Sequence, residues 1–217
     1  MSKHTYTPVR SISYVGICLA LLVICSKIAI PTPAIQFTLQ TLAVSFIALF
    51  LGPRLGPLTQ TLFLLIGLAG VPVFAGGGGL GYVFRPSFGY LLAFIPASFL
   101  IGKVLRIQLQ RPVKAYNSKR VFRAAMLASI TGLVVIYLLG TAYFYVLGNV
   151  YLGLGAKPWT WFAVSGALLF LPTDLLSMGI ASFIVSTIKP LRPAWLKDST
   201  PTVVKSAGFS GNPSSQD

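Results

Sequence analysis

The sequence is 217 residues long and 55% hydrophobic, with only 9% charged residues. A soluble domain usually carries about 25% charged residues, so this chain is predicted to lie in a lipid bilayer. Its net charge of +14 does not indicate nucleic-acid binding, because the basic residues lie between long apolar runs and form no separate basic domain. One histidine, His4, and two cysteines, Cys18 and Cys25, do not supply a set of metal ligands, so no metal site is predicted.

Six segments are predicted to be membrane-spanning helices from their apolar length. In chain order they are Ser11–Ile30, Phe37–Leu51, Pro57–Ala69, Pro86–Leu105, Val121–Leu147 and a last helix that begins at Pro172. Between the third and fourth helices, Val71–Arg85 contains four consecutive glycines and is predicted to be a loop. The stretch Trp159–Leu171 is predicted to be a short helix on the outer side. The first apolar run is too long for the core of a signal peptide, so it is predicted to span the membrane.

The distribution of basic residues predicts the orientation of these helices. With the N-terminus inside, fourteen Lys and Arg lie in inner segments and three lie in outer ones. This asymmetry places both termini in the cytoplasm. We therefore predict an all-α, multi-pass protein of the cell membrane, with a cytoplasmic N-terminal tail (1–10), a substrate-binding transmembrane domain (11–189) and a disordered cytoplasmic tail (190–217).

Asp174 is the only carboxylate in the predicted membrane domain. It follows Pro172 in the first turn of the last helix, where the helix dipole favours a negative charge. Two interpretations are open. Asp174 either caps the helix or pairs with a buried cation, or it accepts a hydrogen bond from a ligand N–H. The second is favoured, because an ionisable group between spanning helices is costly and usually functional.

The three outer cations are candidates for holding an anionic ligand: Lys27, Arg85 and Lys157. Each could instead anchor a helix at the lipid headgroups. The glycine run is either a flexible connector or a binding lid. On the first helix, Gly16 and Ala20 form a small-xxx-small pair that would let another helix approach closely.

Polar side chains mark the second predicted helix: Gln36, Thr38, Gln40 and Thr41. Gln40 lies within an otherwise apolar stretch. Such residues join helices by hydrogen bonds or contact a ligand, and both alternatives remain open here.

Several segments together resemble one family. They are Phe37–Val44 (FTLQTLAV), Leu51–Gly56 (LGPRLG), Gly67–Gly79 (GLAGVPVFAGGGG), Arg85–Leu92 (RPSFGYLL) and Pro172–Leu176 (PTDLL). In this order they are similar to the motifs of BioY proteins, the biotin-binding S components of energy-coupling factor (ECF) transporters. The resemblance covers residues 10 to 188.

The resemblance implies a bundle of six helices that binds biotin in a cavity open to the outside. It implies work with a membrane coupling subunit and two ATPases, so that ATP is used by the partners and this chain needs no cofactor. Gly16 and Ala20 would dock onto the coupling subunit, and Asp174 would bind the ureido ring of biotin. The glycine loop (Gly77, Gly78 and Gly79) and Tyr90 of the matching motifs are expected at the binding site.

Two positions depart from the family pattern. Ser177 stands where the family often has a lysine that helps to hold the biotin carboxylate, and Arg85 stands where it has a glycine. Arg85 is the first candidate to replace that lysine, and Lys27 is the second. Alternatives are an S component for a biotin precursor or another small vitamin, and a solitary biotin transporter. A membrane-embedded enzyme is disfavoured, because a lone carboxylate and no membrane histidine leave little for acid–base chemistry.

Overall fold

The computed structural model describes residues 8–30, 37–109, 117–153 and 157–187. Six α-helices lie in these ranges: α1 (Pro8–Lys27), α2 (Gln40–Leu68), α3 (Phe88–Leu109), α4 (Ser118–Val150), α5 (Trp159–Ala163) and α6 (Leu171–Thr187). Two short strands, β1 (Ala29–Ile30) and β2 (Phe37–Thr38), pair in antiparallel fashion between α1 and α2. A 3₁₀-helical turn spans Leu80–Phe84, and a π-helical turn spans Val164–Leu168. The predicted tail 190–217 lies outside the described residues.

Five helical stretches of the described chain are long and apolar enough to cross a membrane. They are α1 to α4 and the stretch Trp159–Thr187, which contains α5, the π-helical turn and α6. The chain is thus an all-helical, multi-pass membrane protein, as its composition predicts. Lipid-facing helices need no polar surface, which explains how so few charged residues suffice.

α2 doubles back on itself at Gly52. This residue has a φ of 76°, a left-handed conformation that glycine adopts readily. Across the turn, a Cβ added to Gly56 would lie 3.3 Å from the Cα of Ala48. A straight helix of 29 residues would separate its ends by about 43 Å. Both ends of α2 instead lie beside the C-terminal end of α1, so its two arms are antiparallel.

The hydrogen bonds at the two ends of α2 locate them. Just before α2, the N–H of Leu39 donates to the carbonyl of Ile28, 3.3 Å away. Just after α2, the hydroxyl of Ser26 donates to the carbonyl of Val73. We call this end of the bundle, with β1, β2 and the loop 69–87, the strand end. The opposite end, with the turn at Gly52, is the Gly52 end.

Glycines bring backbones into contact at the Gly52 end. A Cβ on Gly102 of α3 would lie 2.5 Å from the backbone nitrogen of Pro53 and 2.6 Å from the carbonyl carbon of Gly52. A Cβ on Gly132 of α4 would lie 2.4 Å from the side chain of Ile101. At Gly102 only glycine fits, because the atoms that a Cβ would meet belong to the backbone, whereas at Gly132 the Ile101 side chain would have to shift.

Several helix boundaries differ from the predicted ones for identifiable reasons. The second arm of α2 resumes at Pro53 rather than at Pro57, since Pro53 follows the left-handed turn directly and suits a first helical position. α4 begins at Ser118 rather than at Val121, because the side chain of Asn117 caps it by accepting from the N–H groups of Lys119 and Arg120, at 3.0 and 3.3 Å.

The glycine-rich loop is folded rather than extended. Phe74 is fully buried and packs against Phe63, with ring centroids 5.3 Å apart. Lys27 donates from its Nζ to the carbonyl of Phe74 at 2.7 Å, which fastens the loop to α1. A Cβ on Gly78 would lie 2.2 Å from the carbonyl oxygen of Val71, so this glycine allows the loop to close on itself.

Candidate ligand cleft

A cleft opens at the strand end between α2, α3, α4, the π-helical turn and α6. It holds about 610 Å³ of atom-free space, part of which is open to solvent. The space that water molecules can occupy within it is about 70 Å³, well below the roughly 300–1,000 Å³ of common small-molecule sites, so the cleft must widen to hold a larger ligand. Polar side chains and one backbone segment form part of the lining: Thr38, Gln40, Thr41, Tyr82, Ser87, Tyr90, Tyr137, Gly166 and Asp174. Apolar residues form the remainder: Ala75, Leu91, Phe94, Ile136 and Phe170.

Asp174 is buried in this cleft, with only 7% of its surface exposed. Its Oδ2 accepts a hydrogen bond of 2.6 Å from the hydroxyl of Tyr137 on α4. Thr41 of α2 faces the same carboxyl group. Asp174 lies in the first turn of α6, where the helix dipole favours negative charge. The lining contributed by the described residues includes no Lys or Arg, so Asp174 meets the cleft as an acceptor without a neighbouring cation.

Gln40, at the start of α2, supplies a hydrogen-bond donor, whereas Asp174 supplies an acceptor. Its side chain is 7% exposed, and its Oε1 accepts a hydrogen bond from Thr38 at 3.1 Å. Its Nε2 is buried and has no hydrogen-bond partner among the described residues. Gln40 therefore brings to the cleft lining an amide donor that the described residues leave without a partner.

Tyr90 joins three elements around the cleft. Its hydroxyl donates to the carbonyl of Gly166 in the π-helical turn at 2.8 Å and lies 3.4 Å from the hydroxyl of Thr141 on α4. Its ring packs where a Cβ on Gly140 would lie 2.4 Å away. Since its hydroxyl already bonds to Gly166, Tyr90 has a structural role: it holds the π-helical turn against α3 and α4.

The structure brings together some of the predicted site residues and leaves others outside. Gln40, Tyr90 and Asp174 line the cleft. The remaining predicted residues, as the described chain places them, are not part of its lining: Lys27, Gly77, Gly78, Gly79, Arg85 and Ser177.

Among these, Arg85 contacts a residue of the cleft lining. It is exposed, and its guanidinium carbon is 5.0 Å from the centre of the Tyr82 ring. Tyr82 lines the cleft, so Arg85 lies next to one of its lining residues. Lys27 is bonded to the loop carbonyl of Phe74, and Ser177 is buried in α6 one turn beyond Asp174.

Tyr137 is the main site residue that the sequence does not reveal. It lies in a long apolar run of α4, and an aromatic residue in such a run most often faces lipid or packs in the core. No local pattern distinguishes those cases from a side chain aimed at Asp174, 37 residues later. Thr38 and Thr41 belong to the polar group noted in the sequence, while Gln36 lies outside the described residues.

The proposed docking pair is exposed. Gly16 and Ala20 both lie on the open face of α1, and a Cβ on Gly16 would meet no atom within 4 Å. The described part of the chain therefore does not use this pair for internal helix packing.

Comparison with known proteins places the chain in a family. The profile of the BioY family matches residues 1–194. The biotin transporter BioY of Rhodobacter capsulatus is 30% identical over 195 residues, covering 86% of this chain and 97% of that protein. The biotin transporter BioY of Thermotoga maritima is 31% identical over 84% of this chain and 97% of its own length. A BioY protein of Lysinibacillus sphaericus is 36% identical over 66% of this chain and 69% of its own.

A solved structure has the same fold. The crystal structure of an S component for biotin from an ECF-type ABC transporter superposes with a TM-score of 0.61 at 23% identity, covering 85% of this chain and 93% of that one. The relatives are named as transporters, in agreement with the expectation of a transport protein. The resemblance noted in the sequence motifs is confirmed: the chain belongs to the BioY family.

Proposed function

We propose that this chain captures biotin from outside the cell and carries it across the membrane as the substrate-binding subunit of an ECF-type transporter. One observation carries the proposal: a buried carboxyl group, Asp174, oriented by Tyr137, faces a cleft between the helices in a chain of the BioY family. Relatives that match most of the chain are named biotin transporters.

The chemistry of the cleft suits the two halves of biotin. A carboxylate accepts several hydrogen bonds, so Asp174 can accept from an N–H of the ureido ring while it holds the Tyr137 bond. An N–H···O⁻ bond is stronger than a neutral one, which favours this residue as the principal polar contact. Apolar walls from Leu91, Phe94 and Phe170 suit the thiophane ring and the aliphatic chain.

Arg85 is our candidate for the carboxylate of biotin. Its guanidinium packs on the ring of Tyr82, a residue of the cleft lining, and a guanidinium can hold a carboxylate with two parallel hydrogen bonds. Lys27 is the second candidate, although its ammonium group already binds the loop. Ser177 offers only a hydroxyl in the place of the family's lysine. The glycines Gly77, Gly78 and Gly79 would act by letting the loop pack beside the cleft.

We propose six membrane spans with both termini in the cytoplasm. The antiparallel arms of α2 on either side of Gly52 count as two spans in this arrangement. The strand end, with the cleft, then faces outside, and the Gly52 end faces the cytoplasm with Arg54, Lys103 and Arg106. The excess of basic residues on that side agrees with the positive-inside rule.

The exposed small pair, Gly16 and Ala20, supports a docking surface for a membrane coupling subunit. A small-residue surface on a spanning helix permits close helix–helix contact. In this assembly two partner ATPases use ATP, and this chain carries no cofactor. Solitary biotin transport is the alternative arrangement.

Uptake of labelled biotin tests the proposal. A biotin-auxotrophic host that expresses this chain with coupling and ATPase subunits should accumulate biotin well above an empty-vector control. The same strain without those subunits separates ECF-dependent from solitary transport. Uptake at the control level, with the chain confirmed in the membrane, would refute biotin transport.

A biotin precursor is the second candidate substrate, because Ser177 replaces a lysine that in the family helps to bind the carboxylate. If a precursor is the true substrate, excess unlabelled precursor should suppress uptake of labelled biotin more strongly than the same excess of unlabelled biotin does.

A further inference from the structure

Thr38 and Gln40 form a small hydrogen-bonded unit at the edge of the cleft. The hydroxyl of Thr38 lies 3.1 Å from Oε1 of Gln40, and the backbone N–H of Gln40 lies 3.4 Å from the same hydroxyl. Both side chains line the cleft. Thr38 is in turn held in β2, where it pairs with Ala29 of β1.

The direction of these hydrogen bonds defines the role of Gln40. The backbone N–H can only donate, so the Thr38 hydroxyl oxygen accepts from it. The hydroxyl proton is then free to donate to a carbonyl-type oxygen, which fixes Oε1 of Gln40 on that side. Consequently the amide nitrogen points away from Thr38, and this Nε2 is the atom that has no partner among the described residues.

A buried amide donor without a partner is unfavourable, and such groups usually find a ligand, an ion or water. Within the same lining, Asp174 supplies an acceptor. An acceptor and a donor on different walls of one cleft match a ligand that carries an N–H beside a carbonyl oxygen. A cyclic urea has this arrangement.

We propose that Thr38 is a positioning residue that fixes the Gln40 amide as the donor to the carbonyl oxygen of a ligand's cyclic urea. This inference rests on the proposed function and deepens it. Asp174 recognises the urea N–H, and the Thr38–Gln40 unit recognises the urea oxygen. The unit thereby makes the cleft selective for a urea over a ligand that lacks a strong acceptor at that place.

Substitution of Thr38 tests the inference with purified protein in detergent and labelled biotin. Thr38→Val removes the hydroxyl at nearly constant size and should weaken biotin roughly fivefold. Thr38→Ser keeps the hydroxyl and should bind within about twofold of wild type. In a Gln40→Met background, Thr38→Val should cause little further loss, because the donor that Thr38 orients is already gone.

A biotin analogue with sulfur in place of the ureido oxygen sharpens the test. Sulfur accepts hydrogen bonds weakly, so Thr38→Val and Gln40→Met should each weaken the analogue much less than they weaken biotin. The matched control is Thr61→Val. Thr61, in the second arm of α2, is also a half-buried threonine, but its hydroxyl donates to the carbonyl of Pro57 at 2.9 Å and it does not line the cleft. It should leave binding unchanged.

Three results would overturn the inference. The first is wild-type affinity for biotin in Thr38→Val. The second is an equal loss of affinity on Thr38→Val with Gln40 intact and in the Gln40→Met background, and the third is an equal loss of affinity for biotin and for the sulfur analogue. If Thr38→Val folds poorly, the comparison of the two ligands on Gln40→Met decides the question. Failure of wild-type protein to bind biotin would instead count against the proposed function, so the two failures are distinguishable.

Discussion

The two ends of the bundle differ in the residues that pack them: glycines at the Gly52 end and buried polar groups at the strand end. At the Gly52 end, Gly102 lets α3 touch the backbone at Gly52 and Pro53. At the strand end, buried polar groups such as Asp174 and Gln40 face a cleft. Because lipid tails are as apolar as the side chains, the hydrophobic effect does not drive the helices together, and close backbone packing must stabilise the bundle. The polar groups of the cleft are then available to bind a ligand. Changes at the Gly52 end should therefore affect folding, and changes at the strand end should affect binding.

The largest effect should come from Gly102→Leu. The new side chain would meet backbone atoms of Gly52 and Pro53 that cannot move aside, so we expect destabilisation of about 3 kcal/mol or more and little folded protein. Yield of monodisperse protein and the melting temperature in detergent measure this. Gly179→Leu is the control, because a Cβ there meets no atom within 4 Å. Equal stability of the two variants would contradict the packing role of Gly102.

Asp174→Ala should weaken biotin binding at least tenfold, about 1.4 kcal/mol. It removes a charge-assisted hydrogen bond and leaves a ligand N–H unpaired in the cleft. Equilibrium binding to purified protein measures the affinity, and an unchanged melting temperature shows that the fold is kept. Wild-type affinity in a folded variant would make Asp174 a structural cap of α6 instead.

Arg85→Ala should weaken biotin roughly fivefold, about 1 kcal/mol, since an exposed ion pair contributes no more than this. The affinity for an uncharged biotin amide or ester should fall much less. Introduction of lysine by Ser177→Lys should partly restore biotin binding. If the affinities for the charged and uncharged ligands fall equally, or neither falls, Arg85 instead anchors α3 at the lipid headgroups.

Tyr137→Phe should weaken biotin binding by roughly threefold, less than the loss of Asp174, because the carboxylate stays and only its orientation is relaxed. The substitution leaves the ring in place and removes the donor that orients Asp174. Tyr145→Phe on the same helix is the control, because Tyr145 does not line the cleft. In an Asp174→Ala background the effect of Tyr137→Phe should disappear; a full additional loss there would show that Tyr137 acts independently of Asp174.

Gly16→Leu should have the smallest effect on binding by the isolated subunit, because Gly16 is exposed and remote from the cleft lining. Biotin uptake with the coupling subunits should nevertheless fall, since a bulky side chain would keep the helices apart. Co-purification of the complex and uptake measure the two quantities. A variant that assembles normally but binds biotin poorly would make this pair an internal packing site.

The comparison of the two ends also shows how far the sequence could predict this molecule. Apolar runs and helix-breaking glycines identify the spanning segments, because the bilayer demands length and internal hydrogen bonds. The residue at which the second arm of α2 begins is harder to predict from the sequence, since Pro53 and Pro57 are both suitable first residues of a helix. β1 and β2 each have two residues, too few to produce an alternating pattern.

The site shows the same division. Asp174 and Gln40 stand out because polar residues are rare in spanning helices, and the structure places both at the cleft. Tyr137 does not stand out, because an aromatic residue is ordinary in an apolar helix and only the tertiary fold shows which way it faces. The bond from Lys27 to the Phe74 carbonyl depends on the path of a loop 47 residues away, which no local pattern specifies.

The central claim is that this cleft recognises the ureido ring of biotin, and equilibrium binding of three related ligands to the purified wild-type protein tests it most directly. Dethiobiotin keeps the ureido ring but lacks the sulfur, whereas diaminopelargonic acid keeps the carboxylate chain and lacks the ureido ring. We expect saturable binding of biotin at one site, binding of dethiobiotin within roughly tenfold of biotin, and binding of diaminopelargonic acid weaker by a hundredfold or more, about 2.7 kcal/mol. Absence of saturable biotin binding, or equal affinity for biotin and diaminopelargonic acid, would contradict the account.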